Sequence, residues 1–200
     1  MIERNVGIIS DLVKDLLNFA KERTPDYEEV DPQVLIEEVL GDIGAREPDR
    51  IELRADVAEG AGTVMLDVHA FRQCLGNLVH NALEAIPPDR TGTVRVGYEA
   101  KGDRAVFTVS DDGEGMSAET IEKVRGGMHS TKGSKGTGLG LLVIQKIVTE
   151  HRGALTILSE EGKGSTFRIE IPAGGTTPPR GSTDDPGSGS RAADKVTQAV

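Results

Sequence analysis

Two asparagines one helical turn apart, a carboxylate that opens a glycine turn, and a second glycine run ahead of a helix are the chemistry-bearing parts of this chain. Asn77 and Asn81 stand at i and i+4, with Glu84 at i+7, inside an apolar helical pattern over 68–86. Asparagine is a poor helix former because its amide competes for the backbone. Two on one stripe are either solvent-exposed or a polar ledge suited to a metal ion and phosphate oxygens. Asp111 follows the strand-like run 105–109 and opens Asp111-Asp112-Gly113-Glu114-Gly115. Gly136-Thr137-Gly138-Leu139-Gly140 opens the apolar pattern 141–148. A helix start offers unpaired N–H groups and a positive dipole end, both suited to phosphate. Glycine lets the backbone come close to an anion. The two turns read as the walls of a nucleotide pocket, and they settle the asparagine ledge in favour of metal and phosphate.

Composition narrows the classes. The chain has 200 residues and a formal net charge of −10. That balance argues against a nucleic-acid binder, since duplex affinity needs clustered Lys and Arg. Trp is absent and aromatics are 3%, so base-stacking platforms are not expected. The single cysteine, Cys74, leaves no intrachain disulfide and no multi-cysteine zinc site. Its neighbours Phe71, Leu75 and Leu78 suggest a buried structural thiol. No apolar run approaches the length of a membrane span, and nothing reads as a signal peptide. A cytoplasmic location is expected.

The positioning elements follow from period and punctuation. Ile2, Val6, Ile9, Val13, Leu16 and Ala20 alternate spacings of four and three, a heptad seam over 1–23. Leu12, Leu17 and Phe19 widen the stripe, which favours a four-helix arrangement of two paired hairpins, hence a homodimer with a partner helix before this one. An amphipathic helix packed on its own domain is the alternative. Thr24-Pro25 ends the pattern. Residues 27–30 suggest a short edge strand. Asp31-Pro32 reads as a cap and first turn of a helix to about Ala45, with Val34, Leu35, Val39, Leu40 and Ile43 on its apolar face. Residues 50–55 and 63–66 alternate as strands of a half-buried sheet. Asp67 caps the 68–86 helix, whose core face is Phe71, Leu75, Leu78, Ala82, Leu83 and Ile86. Hairpins are expected at 93–111 and 154–171, a short helix from Ser117, and a helix from Leu139 to His151. Residues 127–137 lack a hydrophobic period and read as a lid. From 173 onward the composition is that of a disordered tail. The hairpins argue for an α/β two-layer sandwich: a mixed, largely antiparallel sheet on about three helices, preceded by the long N-terminal helix. The divisions are 1–24, 25–172 and 173–200.

Competing motifs fail. No G-x-x-x-x-G-K-[ST] occurs, no G-x-G-x-x-G follows a suitable strand, and His69, His80, His129 and His151 form no zinc pair. What remains is GNLVHNALEA (76–85), SDDGEGM (110–116), HSTKGSKGTGLGL (129–141) and GKGSTFRIEIP (162–172), in that order. In this set the chain resembles the catalytic and ATP-binding domain of sensor histidine kinases, within the gyrase–chaperone–kinase–mismatch-repair superfamily. The resemblance covers 27–172, and DLLNFAKER before the turn resembles the second helix of the family's dimerisation hairpin.

The resemblance implies the roles. Asp111 would accept a hydrogen bond from the adenine amino group and would repel a guanine carbonyl. Gly113 and Gly115 would let the turn pass the base. Asn81 would bind Mg²⁺, and Asn77 would support the same cluster. Gly136, Thr137, Gly138, Leu139 and Gly140 would surround the phosphates of ATP, with Lys132 reaching the terminal one; Asn77 and Lys132 carry the catalytic expectation. Partners would be a segment with a phosphoacceptor histidine and a response-regulator receiver domain. Three departures stand out. Glu84 replaces the Lys or Arg of one branch. The lid lacks its usual phenylalanine, with Met128 nearest. No histidine here is followed by the acidic residue of an acceptor, which places the acceptor on another segment. A self-contained ATPase is the second reading, but those relatives carry a glutamate where Asn77 stands, so water would lack its base. A degenerate binding module is the third.

Overall fold

The computed structural model describes residues 24–45, 50–125 and 139–174. The expected N-terminal helix, Lys132, Gly136, Thr137, Gly138 and the tail from 175 lie outside these residues.

Helix α1 is Pro32–Gly44. The Asp31 carboxylate accepts from the Gln33 N–H at 2.8 Å, which satisfies one of the orphan donors of a helix start. Leu35, Ile36, Val39, Leu40 and Ile43 are buried. Val34, expected on that face, is 50% exposed. It sits in the first turn, rotated off the Leu35–Val39–Ile43 stripe. Helix α2 is Val68–Ala85, capped by Asp67, whose Oδ1 accepts from the Ala70 N–H at 3.0 Å. Phe71, Leu75, Leu78, Ala82, Leu83 and Ile86 are all buried, as the periodicity predicts. Cys74 is fully buried, and burial pushes its thiol up to about 12. Helices α3, Ala118–Arg125, and α4, Leu139–Glu150, complete the four described helices, each close to one the sequence suggests.

The strands are β1 Glu28–Val30, β2 Ile51–Val57, β3 Val64–Leu66, β4 Gly92–Lys101, β5 Arg104–Asp111, β6 Ala154–Glu160 and β7 Gly164–Pro172. The main sheet has five strands in the order β2-β4-β5-β7-β6. Only β2 and β4 pair in parallel; the rest is antiparallel, and both expected hairpins are present. One expectation is corrected: 63–66 does not join this sheet. The loop after β2 carries the chain away, and β3 pairs with β1 as a separate two-stranded ribbon, Val64 opposite Val30. Along β5, Ala105, Phe107 and Val109 are buried, and Phe107 meets Phe71 of α2 at 5.1 Å between ring centroids. Alternation therefore turns these odd-numbered positions toward the helices. The fold is a sheet with helices packed on this face, with α1, α2 and α4 contributing to its core. Ala173, expected in the tail, is instead held just beyond β7: its N–H donates to the Asp103 carbonyl at 2.8 Å and its carbonyl accepts from the Met65 N–H at 3.2 Å.

A polar junction ties three parts of the chain. His151 is 2% exposed. Its Nδ1 lies 2.8 Å from the Ile147 carbonyl, and its Nε2 accepts from the Asp67 N–H at 3.0 Å. That pair of partners requires the proton on Nδ1. Burial, the main cause, holds its pKa below the ordinary 6.5, against the Ile147 bond and the Asp67 charge. Phe71 and Tyr27 pack edge-on to the ring. The Asp26 N–H donates to Asp67 Oδ2 at 3.0 Å, and the Tyr27 hydroxyl donates to the Glu150 carbonyl at 3.2 Å.

Candidate nucleotide-binding site

Asp111 ends β5, the central strand, bonded on one side to β4 and on the other to β7. Its parity with Phe107 and Val109 places it on the helix-facing side. Oδ1 accepts from the Gly113 N–H at 2.8 Å and from the Ser165 N–H at 3.3 Å. Among the described residues no hydrogen bond reaches Oδ2. Desolvation by burial raises the carboxyl above 3.8; the Gly113 and Ser165 N–H bonds oppose it, Asp112 adds to it and Arg90 opposes it. A desolvated carboxylate with one oxygen fixed and the other without a donor is prepared to receive one more donor.

The turn after Asp111 is clamped from both sides. The Glu114 N–H donates to the Ala85 carbonyl, the last residue of α2, at 2.9 Å. The Gly162 N–H, from the β6–β7 hairpin, donates to the Glu114 carbonyl at 2.6 Å. Two glycines permit this. A Cβ on Gly113 would lie 2.5 Å from the Ala85 oxygen and 2.8 Å from Asp111 Oδ1. Gly115 has a φ of +66°, and a Cβ there would collide with the Glu160 carbonyl. Arg90 contacts the Asp112 carbonyl, and its guanidinium lies 3.7 Å from Asp112 Oδ1, which also accepts from the Thr93 N–H at 3.0 Å.

The clamp on Ala85 ties the Asp111 turn to the C-terminal end of α2, the helix that carries both asparagines. Asn81 is one turn back along α2 and Asn77 a second turn, each step about 6 Å of helix rise. Both are half-buried, whereas Glu84 is exposed. The Asn77 Nδ2 atom is buried and has no hydrogen-bond partner among the described residues. Helices α2 and α4 pack together and touch at Asp67–His151, the start of one and the end of the other. Overlap from that junction requires opposite directions. Twelve residues of α4 rise about 18 Å. That brings the first turn of α4 level with the 77–81 stretch of α2. Gly140 is in this turn, with open space where a Cβ would stand.

These observations allow a fit test for a magnesium–nucleotide group. Among the described residues, the buried Asn77 Nδ2 without a partner and the Asp111 Oδ2 without a donor are both unmet hydrogen-bonding capacity. Among the described residues no cluster of three or more His, Cys, Asp or Glu could hold a metal ion. The donor set of α2 instead suits magnesium, which takes one or two protein oxygens and fills the rest with phosphates and water. The residues fit the group. A different cavity of about 500 Å³ lies between α4 and β6, lined by Gln145, Val148, Thr149, Gly153, Leu155, Thr156 and Ile157. It contains no ionisable side chain and shares no residue with the site.

Sequence reasoning missed Ser165, whose N–H orients Asp111, and Ser159. The Ser159 hydroxyl accepts from the Met116 N–H at 2.8 Å and donates to the Gly164 carbonyl at 2.9 Å. The only available signal was the closing hairpin, whose glycines mark a turn without saying what it grips.

Comparison with known proteins agrees with this fold. The model of the family described as histidine kinase-, DNA gyrase B- and HSP90-like ATPase matches residues 66–175. The sensor histidine kinase ZraS of Salmonella typhimurium is 39% identical over 123 residues, 61% of this chain and 26% of that protein. The sensor kinase CckA of Brucella abortus is 34% identical over 190 residues, 86% of this chain and 20% of that protein. The chain thus spans about a quarter of the length of such relatives. Among solved structures, the catalytic domain of histidine kinase ThkA superposes with a TM-score of 0.66 at 28% identity, covering 74% of this chain and 97% of that one. Full-length ShkA in complex with AMPPNP gives 0.72 at 26% identity, covering 84% and 36%. The chain belongs to the histidine kinase-, DNA gyrase B- and HSP90-like ATPase family, and its ATP-binding domain is of the sensor histidine kinase type.

Proposed function

We propose that this chain binds Mg²⁺–ATP and transfers the γ-phosphoryl group to a histidine on another segment, for relay to a response regulator. The observation that carries the proposal is the Asp111 carboxylate, with Oδ1 fixed by two N–H groups and Oδ2 without a donor among the described residues, tied through its turn to the helix end that leads to Asn81 and Asn77. Oδ2 accepts the adenine amino group. Asn81 supplies the metal-binding oxygen, and the Asn77 Nδ2, without a partner among the described residues, donates to a phosphate oxygen. Gly140 and the first turn of α4 face the phosphates, joined by Gly136, Thr137, Gly138, Leu139 and Lys132. Asn81 would hold magnesium there, and the ion would offset the charge of the phosphates. The buried His151 has both ring nitrogens engaged, so it offers none to a phosphoryl group.

The family's self-contained ATPases are the competing reading. The amide at Asn77 cannot take a proton from water, which supports a kinase over a hydrolase. Response-regulator binding draws support from histidine kinase ThkA, solved in complex with response regulator TrrA. That structure is 24% identical to this chain and by itself speaks for the fold. Homodimerisation through residues 1–23 rests on their heptad seam. Among the described residues no helix is long and apolar enough to cross a membrane; a cytoplasmic location is proposed because ATP is the substrate.

Isothermal titration with Mg²⁺–ATP tests the site. Asp111→Asn and Asn81→Ala are each expected to abolish binding while far-ultraviolet circular dichroism stays unchanged. Wild-type affinity in both variants would remove the assigned pocket. Phosphate release by the chain alone is expected to be negligible, and acid-labile phosphate is expected to appear only when a fragment bearing an acceptor histidine is added.

A further inference from the structure

We infer that Ser159, which does not touch nucleotide, is a positioning residue for adenine recognition; this rests on the nucleotide site proposed above. Ser159 and Ser165 are directly opposed across β6 and β7. The Ser159 oxygen lies 2.8 Å from the Met116 N–H, 2.9 Å from the Gly164 carbonyl and 3.0 Å from the Ser165 hydroxyl. A serine hydroxyl has one proton and two lone pairs. The proton goes to Gly164. The lone pairs then receive the Met116 N–H and the Ser165 O–H, and the hydroxyl is saturated.

Each of those partners is adjacent to the base-binding carboxylate. Met116 closes the turn that starts at Asp111. Gly164 and Ser165 begin β7, and the Ser165 N–H is one of the two donors on Asp111 Oδ1. One side-chain oxygen thus joins the far end of the turn to the strand that aims Asp111. Without it, the Met116 N–H and the Ser165 hydroxyl lose their acceptor together. The bond between Gly162 and Glu114 still holds the turn to the hairpin, so the fold survives. What loosens is the angle at which Oδ2 meets the amino group of the base. A hydrogen bond is steeply sensitive to such an angle.

The test is a cycle between the side chain and one group of the ligand. ATP and purine riboside triphosphate, which lacks the 6-amino group, are titrated calorimetrically into wild type and Ser159→Ala. Wild type should prefer ATP by about tenfold or more, the worth of a hydrogen bond to a charged acceptor. In Ser159→Ala the preference is expected to shrink by at least about threefold, with ATP affected and the analogue nearly unchanged. Equal loss for both nucleotides, or an unchanged preference, overturns the inference, because a merely structural serine would act on both alike. A wild type without preference for ATP would instead refute the adenine site itself. If Ser159→Ala does not fold, Ser159→Cys, nearly the same size but a weak acceptor, carries the same titrations to the same decision.

Discussion

Replacing Gly113 by alanine tests the clamp at its tightest point. The new Cβ would stand 2.5 Å from the Ala85 oxygen, 2.7 Å from the Ala85 carbonyl carbon and 2.8 Å from Asp111 Oδ1. Comfortable contact for carbon lies near 3.5 Å, so the turn must retreat by roughly 0.7–1 Å. The nearest atoms are backbone and cannot swing aside. At that displacement the 2.9 Å bond from Glu114 N–H to Ala85 and the 2.8 Å bond from Gly113 N–H to Asp111 both leave hydrogen-bonding range. One neutral bond and one to a charged group are together worth about 2–4 kcal/mol. The turn that carries Asp111 is displaced by the same amount, and ATP affinity is expected to drop by about 30-fold or more, the equivalent of about 2 kcal/mol. Both bonds are present in the chain without nucleotide, so their loss should also lower the melting temperature, by about 4–16 °C at about 2–4 °C per kcal/mol. Gly41→Ala on α1 is the control. Nothing lies within 4 Å of its Cβ position, so helix propensity should stabilise the chain by about 0.8–1 kcal/mol without touching affinity. Calorimetric titration with Mg²⁺–ATP and a thermal melt read both. A Gly113→Ala protein that binds within threefold of wild type and melts unchanged would refute the seating of this turn.

Asn77→Ala should trade binding for stability: removing a buried Nδ2 that has no partner among the described residues and adding a better helix former is expected to gain about 1–2 kcal/mol in urea denaturation, while Mg²⁺–ATP affinity falls. A destabilised Asn77→Ala would mean that the amide is already satisfied. His151, with its native pKa below 6.5, contributes stability that is complete above the unfolded pKa and is lost as pH falls through 6.5 toward the native value. Ring titration by nuclear magnetic resonance should find its midpoint below 6.5, and a midpoint at or above 6.5 would contradict the burial. Cys74, its thiol held near 12, should resist alkylation at pH 8 until denaturant unfolds the chain; rapid labelling of native protein would place it at the surface.

Patterns that repeat were legible in the sequence, and geometry between distant segments was not. The core face of α2 came directly from its apolar period, and both hairpins came from alternation around glycine. The two caps, Asp31 and Asp67, came from residue type alone. The placement of β3 did not, because three alternating residues carry no sign of which sheet they will join. Asn77 and Asn81 were visible because asparagine is costly inside a helix. Ser159 and Ser165 were invisible because serine in a strand is unremarkable until the register sets the two opposite each other. The clamp also stayed hidden, since it is made of the Ala85 and Glu114 carbonyls, and backbone atoms leave no trace in composition.

The junction around His151 has a mechanical consequence. Asp26 and Tyr27 fasten the incoming chain to the first residue before α2 and to the last residue of α4. The same two helices carry the asparagines and Gly140 toward their opposite ends. A tug or twist on the polypeptide upstream of Thr24 is therefore delivered along two stiff rods, as a lever delivers motion from its handle to its tip. Loosening that attachment would slacken the transmission and leave the pocket's own contacts whole.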